Sequence, residues 1–272
     1  MSTQEIVSSV NSSKKENLQK FSWKAFFILA AAGLFGVFAS LPTAWSTIVE
    51  TANKANVPVQ LLVGEQILQS AIWMLLAVGV GLVLSKKTGL GASILEGYLN
   101  GETVRMNLRS HILPSVSLGV LGAIMAKALD AWFFMPNMPG FSSVISQVSR
   151  WKAFLASFYG GITEEILSRL FLLTLLAWIL SWFSHTKDQL PSKIGMWIAI
   201  LGSAIVFGLG HLPATLVNNQ FSLMILARAI FLNGIPGTIF GYLYWKRGLE
   251  SSMMAHFSAD LILHVVLPLF SV

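Results

Sequence analysis

Seven apolar stretches, each near the roughly twenty residues a helix needs to cross a bilayer, dominate this chain. They fall at about 23–49, 59–84, 111–134, 151–182, 194–211, 222–245 and 252–270. In hydrocarbon a backbone N–H or C=O finds no water, so only helices and closed barrels satisfy every group internally. The stretches lack the apolar–polar alternation of barrel strands, which leaves helices. The expected fold is an all-α, polytopic membrane helix bundle of about seven to eight transmembrane helices. Composition agrees: 54% of the 272 residues are hydrophobic and 11% charged, where a soluble domain carries about 25% charged residues. The chain has no cysteine, which excludes disulfides, a thiol nucleophile and a Cys-based zinc site.

Lys and Arg set the expected orientation. Lys14, Lys15, Lys20 and Lys24 lie before or at the first helix. Lys86, Lys87, Arg105 and Arg109 fall in the second loop, Lys187 and Lys193 in the fourth, and Lys246 and Arg247 in the sixth. These share one side; Lys54, Arg150 and Lys152 face the other, with Lys127 near a helix end. The N-terminus is therefore expected in the cytoplasm. The same bias accounts for the net charge of +6, so the expected partner is the lipid bilayer and no nucleic acid. Residues 1–22 read as a polar tail without the immediate apolar run of a cleavable signal peptide, and the first helix as a retained anchor.

The two halves differ. Residues 23–149 read as scaffold helices, with Pro42 an expected kink and Lys127 expected to neutralise Asp130 three residues on. Residues 150–272 carry ionisable groups inside apolar runs, where charge is costly and normally faces a cavity or a partner. Glu164, Glu165 and Arg169 interrupt one run. Glu165 and Arg169 are four apart with Glu first, the favourable order for a helical ion pair. Glu164 is rotated by about 100°, so it is free to act as a general base. A network that only fixes packing is the plainer reading, but packing requires one carboxylate per arginine and here there are two. Phe207-Gly208-Leu209-Gly210-His211 closes another helix. A lone histidine there would be a cap or an interfacial residue. In the last helix His256 and Asp260 are four apart on one face, and His264 continues that face. Arg228 is a further intramembrane charge, expected to compensate one of the carboxylates.

Taken in order, Glu-Glu-x-x-x-Arg, Phe-x-x-x-His and His-x-x-x-Asp on separate helices resemble the CAAX protease and bacteriocin-processing (Abi) family of intramembrane endopeptidases. Its eukaryotic Ras-converting members remove the last three residues of prenylated proteins. The resemblance covers about residues 150–265. Arg247-Gly248-Leu249-Glu250-Ser251 stands where the family has a Thr-Gly-Ser turn, and Asp260 where the prenyl-processing enzymes have Asn. An ionised Asp cannot donate to an oxyanion as an amide can, so Asp260 is either protonated or serves to orient His256.

The resemblance implies Glu164 as the base that activates water with His211. It makes His256 the oxyanion stabiliser, supported by Asp260, and has Glu165 and Arg169 hold the helix and tune Glu164. No cofactor is favoured. The alternative is Zn2+ on Glu164, His211 and His256, although the usual His-Glu-x-x-His signature is absent. The implied partner is a peptide or protein substrate in the membrane. The compact length suits a prokaryotic plasma-membrane member, whose substrate need not be prenylated. A non-catalytic scaffold of the same fold and an ion- or proton-coupled transporter remain as alternatives. One geometric difficulty stands: with strictly spanning helices His211 lies near the outer end of its helix and His256 near the inner end of the last. A break at 233–237 would reconcile them.

Overall fold

The computed structural model describes residues 21–102, 108–141, 148–217 and 219–270. Lys14, Lys15, Lys20 and Arg105, used above for orientation, lie outside them. The described chain is an all-α polytopic bundle with no strand. Helix α1 (Trp23–Ala55) starts where Ser22 Oγ accepts from the Ala25 N–H, and it ends at left-handed Asn56. Helix α2 (Val59–Thr88) stops at Gly89, whose φ of 72° suits a residue without Cβ. A short helix, α3 (Ser93–Leu99), precedes α4 (Ser110–Asn137). Helix α5 spans 150–181. After α6 (Lys193–Gly210) comes the short α7 (Leu212–Leu216), then α8 (Leu223–Arg247) and α9 (Leu249–Leu269). Ser192 and Ser222 cap α6 and α8 by accepting from the N–H groups of Gly195 and Ile225.

Six of these, α1, α2, α4, α6 with α7, α8 and α9, are long and apolar enough to cross a membrane. The remaining expected span, α5, is helical throughout, but its middle unwinds into π turns at Tyr159–Glu164 and Ile166–Leu173. Phe27, Leu68, Trp73, Ile198 and Leu201 point outward and exposed, a surface that suits lipid and not water. The inward faces pack closely because they carry small residues. A Cβ on Gly81 would come within 2.6 Å of the Leu170 carbonyl oxygen, and one on Gly208 within 2.7 Å of Ile230 Cα. Leu29, Met74, Val78, Leu170, Leu173, Ile200 and Tyr244 form the largest buried cluster.

The ends of α2 and α8 and the starts of α6 and α9 meet at one end of the bundle. There Trp197 stacks on Tyr242 with centroids 6.0 Å apart, and the Leu249 N–H donates to the Gly91 carbonyl at 2.9 Å. Lys86, Lys87, Lys246 and Arg247 lie in the last turns of α2 and α8 and Lys193 opens α6, so these cations gather at this end. At the opposite end Thr43 Oγ1 donates to the Lys152 carbonyl at 3.1 Å.

Three expectations need correction. Asp130 does not pair with Lys127. Its two oxygens take Arg228 Nε at 2.8 Å and Nη2 at 2.9 Å. Helix α4 widens into a π turn at Asp130, and a planar guanidinium matches both carboxylate oxygens where an ammonium offers one point charge. Arg228 accordingly compensates Asp130, and neither Glu164 nor Glu165. Nor is there a break at 233–237: α8 runs helically through Pro236. The Thr238 hydroxyl and the Asn233 amide donate back to the Gly234 and Ala229 carbonyls of the same helix, each at 2.8 Å.

Candidate active site

The site is built on the unwound middle of α5. Gly160 and Gly161 open the first π turn. The hydroxyl of Thr174 donates to the carbonyl of Arg169, five residues earlier, at 3.0 Å, and the Thr174 N–H donates to the same carbonyl. Thr163 Oγ1 donates to the Gly33 carbonyl at 2.7 Å, tying this stretch to α1. Wide turns of this kind often occur at functional positions, because they turn a helix's side chains out of their regular register.

The adjacent glutamates part company. Glu165 is fully buried, with Arg169 Nη1 3.2 Å from its Oε1. The same oxygen accepts from His256 Nδ1 at 2.8 Å, and Oε2 accepts from the Ser252 hydroxyl. Arg169 Nη2 donates to the Gly237 carbonyl at 3.0 Å. Its guanidinium lies 4.9 Å from the Phe207 ring centroid and 5.5 Å from that of Phe240, two faces that attract a cation. Glu164 keeps 21% of its side chain exposed. It stands between the two imidazoles, with Oε1 3.9 Å from His211 Nε2 and Oε2 3.6 Å from His256 Nε2.

The partners of the histidines assign their protons. A carbonyl or a carboxylate can only accept. His211 Nδ1, 2.9 Å from the Phe207 carbonyl, therefore carries hydrogen, and so does His256 Nδ1 against Glu165. Each Nε2 is left facing Glu164. His256 Nε2 also stands 3.7 Å from Asp260 Oδ1. Its ring stacks on Phe240 at 4.7 Å and meets the edge of Phe207 at 5.6 Å, while His211 touches the same Phe207 at 4.7 Å. Phe207 is thus a spacer shared by both imidazoles.

Glu164, Glu165, Arg169, His211, His256 and Asp260 all converge, although they come from α5, the end of α6 and α9. The depth mismatch closes in two ways. Helix α9 starts at Leu249, earlier than the expected 252, so His256 sits about 10 Å into it. The His211 ring folds back one turn onto the Phe207 carbonyl. The glycines divide by role. Gly160 admits Asp260: a Cβ there would overlap the Asp260 carboxylate and lie 3.1 Å from His256 Nε2. Gly161 and Gly208 serve close helix packing, and Gly210 faces open space. His264 makes no hydrogen bond to the cluster among the described residues. Sequence reasoning missed Ser252 and Phe240. Ser252 is four residues before His256 and eight before Asp260, a spacing that puts all three on one face.

No group of three or more His, Asp or Glu side chains among the described residues is arranged to hold a metal ion. No step below is routed through a metal.

An all-α membrane bundle with carboxylates and imidazoles at the heart of its second half defines the class. Residues 146–262 match the family model Rce1-like: Type II CAAX prenyl endopeptidase Rce1-like. The match is consistent with a CAAX-type protease family and takes in all six candidate residues, Glu164, Glu165, Arg169, His211, His256 and Asp260. No curated protein and no solved structure matches the chain.

Proposed function

We propose that this chain is an intramembrane endopeptidase that hydrolyses a peptide bond of a membrane-associated or lipidated protein with water activated by Glu164 and His211. One observation carries the reading. The only glutamate of the pair left partly open faces two imidazole nitrogens at 3.9 and 3.6 Å, while its neighbour is spent on a buried arginine. Gaps of that length are too long for direct hydrogen bonds and suit one water held between the groups.

In this reading Glu164 takes a proton from the water as its oxygen attacks the scissile carbonyl carbon, and the His211 Nε2 lone pair orients that water. The carbonyl oxygen becomes an oxyanion. His256 in its cationic form donates from Nε2 to it, held in place by Nδ1–H on Glu165. Glu164 then returns its proton to the leaving nitrogen as the C–N bond breaks. Arg169 keeps Glu165 ionised and fixes the wide turn. Asp260 supports His256 from its Nε2 side. The segment 150–272 is the proposed catalytic core, with the basic end of the bundle in the cytoplasm of a prokaryotic cell and no cofactor required.

The test replaces Glu164→Gln and His211→Ala in the native host and compares protein termini across the membrane proteome with the parent. Termini lost in both variants, with the variant proteins still present in the membrane, support the proposal. Identical termini in all three strains refute it. Elemental analysis of the detergent-purified chain adds a second check: stoichiometric zinc would overturn the metal-free version.

A further inference from the structure

Two neighbouring rows of α4 face different helices. Gly122, Ala126 and Asp130 form one row at four-residue spacing. It meets α8: a Cβ on Gly122 would be 3.1 Å from Ile239 Cδ1, and Asp130 takes Arg228. Gly119, Ala123 and Lys127 form the adjacent row. It meets α9, since a Cβ on Gly119 would overlap the Ala255 carbonyl, and Ala123 packs in one cluster with Ala255 and Ala259. Lys127 therefore ends a row directed at α9. With Asp130 claimed from the other side, it has no ion pair among the described residues. An ammonium in an apolar span is costly and normally faces a cavity or a partner.

His264 is the matching group on α9. His111, at the start of α4, lines a cavity with Lys86, Lys246 and Arg247, and α9 starts at the same end, so the two helices run in parallel. From the Gly119–Ala255 contact, Lys127 is eight residues on and His264 nine, about 12 and 14 Å along their helices. The two residues thus lie at one level. The stretch Leu261–Val266 widens into a π turn, which turns His264 out of the regular register of α9. The charges of Lys127, His211 and His256 all act on His264, so its ring lies within electrostatic reach of both Lys127 and the candidate site. Neither ring nitrogen has a hydrogen-bond partner among the described residues, and neither is sealed from solvent. The mechanism above uses neither residue. An ammonium and an imidazole at one level, both without an acceptor, define a place for an anion. Helix α4 continues ten residues, about 15 Å, past Lys127. At that depth a lipid phosphate is the poorer fit, and a chain drawn in toward Glu164 is the better one.

We propose that Lys127 and His264 form a subsite that takes a carboxylate of the substrate peptide. The ammonium supplies the charge, and a neutral imidazole supplies a second donor from its one N–H. The carboxylate is an acidic side chain or the peptide's own C-terminal end, since both offer the same two oxygens. The assignment rests on the protease reading of Glu164. It makes the enzyme selective for peptides that carry a negative group at a set distance from the cleaved bond. A neutral peptide in its place leaves the ammonium unpaired in a desolvated site, which is costly.

The test titrates the full chain, purified in non-ionic detergent, with short apolar peptides of leucine and alanine. One series carries Asp at each position in turn with an amidated end, a second carries Asn instead, and a third carries Asn with a free carboxylate end. Native mass spectrometry reads the bound peptide and needs no cleavage. At least one carboxylate peptide is expected to bind about tenfold more tightly than its Asn amide, the worth of a hydrogen bond to a charged group. Preference for an Asp peptide assigns the side chain, and preference for the free end assigns the chain terminus. Lys127→Gln should remove the preference and leave the affinity for the Asn amides unchanged, while Lys127→Arg should keep it, a pattern that a purely structural role would not give. His264→Leu is expected to lower the preference about threefold and decides the matter if Lys127→Gln fails to fold. Equal binding of all three series, or a preference that persists in folded Lys127→Gln or His264→Leu protein, overturns the subsite and leaves the protease reading standing. An intact preference in a chain without Glu164-dependent termini would overturn the protease reading and keep the carboxylate site.

Discussion

Replacing Glu165 by Gln removes a charge from the centre of the bundle and leaves the shape almost unchanged. Arg169, 1% exposed, then has no anion within reach of Nη1, which now lies 3.2 Å from Glu165 Oε1. Its Nε and Nη1 already lack hydrogen-bond partners, so the Gly237 carbonyl, the faces of Phe207 and Phe240 and the more distant charge of Glu164 remain. Breaking one side of a buried pair costs about 3–5 kcal/mol, and that is the loss expected for Glu165→Gln. Arg169→Met is expected to cost less, about 1–3 kcal/mol, because Glu165 keeps His256 Nδ1–H and the Ser252 hydroxyl. In the double variant neither charge is stranded, so the two losses should fall short of additivity by about 2 kcal/mol or more. Reversible unfolding in mixed micelles, followed by tryptophan fluorescence, measures all three. A double variant whose loss equals the sum of the singles within about 0.5 kcal/mol would show that the pair is not a coupled unit. A Glu165→Gln protein as stable as the parent would be equally fatal.

Other substitutions probe separate features. Gly160→Ala puts a methyl into the Asp260 carboxylate and should destabilise by about 1–3 kcal/mol, with recovery when Asp260→Ala is added; no recovery would mean that the clash lies elsewhere. Arg228→Lys keeps the charge but loses the two-point contact to Asp130, and the same unfolding assay should show a cost of about 1–3 kcal/mol; a neutral result would reduce that pair to a point charge. Glu96 supplies a pH dependence. Its folded pKa is raised from 4.5, chiefly by burial, so folding favours the protonated form. The stability this contributes is complete below 4.5 and is lost as pH rises through the folded value. Glu96→Gln should therefore match the parent in acid and exceed it in melting temperature at neutral pH; equal melting curves at both would refute the assignment.

What the chain shows in its sequence and what it conceals divide along the distance between interacting residues. The apolar runs announce the helices because each run satisfies its own backbone. The Glu165–Arg169 pair is equally visible, since both partners lie on one helix four residues apart. Asp130 marks the limit of such reasoning: its neighbour Lys127 is close in sequence, yet the arginine that claims it is on another helix, at a depth set by packing. Glu250 is similar, because it caps Leu95 across the bundle and looks like a turn residue when read locally. The π turns of α5 also escape, since wide turns demand no special composition beyond permissive glycines.

The same division explains the one geometric puzzle in the site. Equating the end of an apolar run with the membrane surface puts His211 and His256 at opposite depths. Helix α6 instead ends at Gly210 and passes through His211 directly into a second short helix, so His211 closes a helix without closing the span. The ring of Phe207 then spaces the two imidazoles, and the unwound turn of α5 delivers Glu164 between them. Convergence of residues from three helices is a property of packing. The residue types can be read one helix at a time, but their division of labour becomes legible only when Glu165 is seen to be surrounded by donors and Glu164 to be left open.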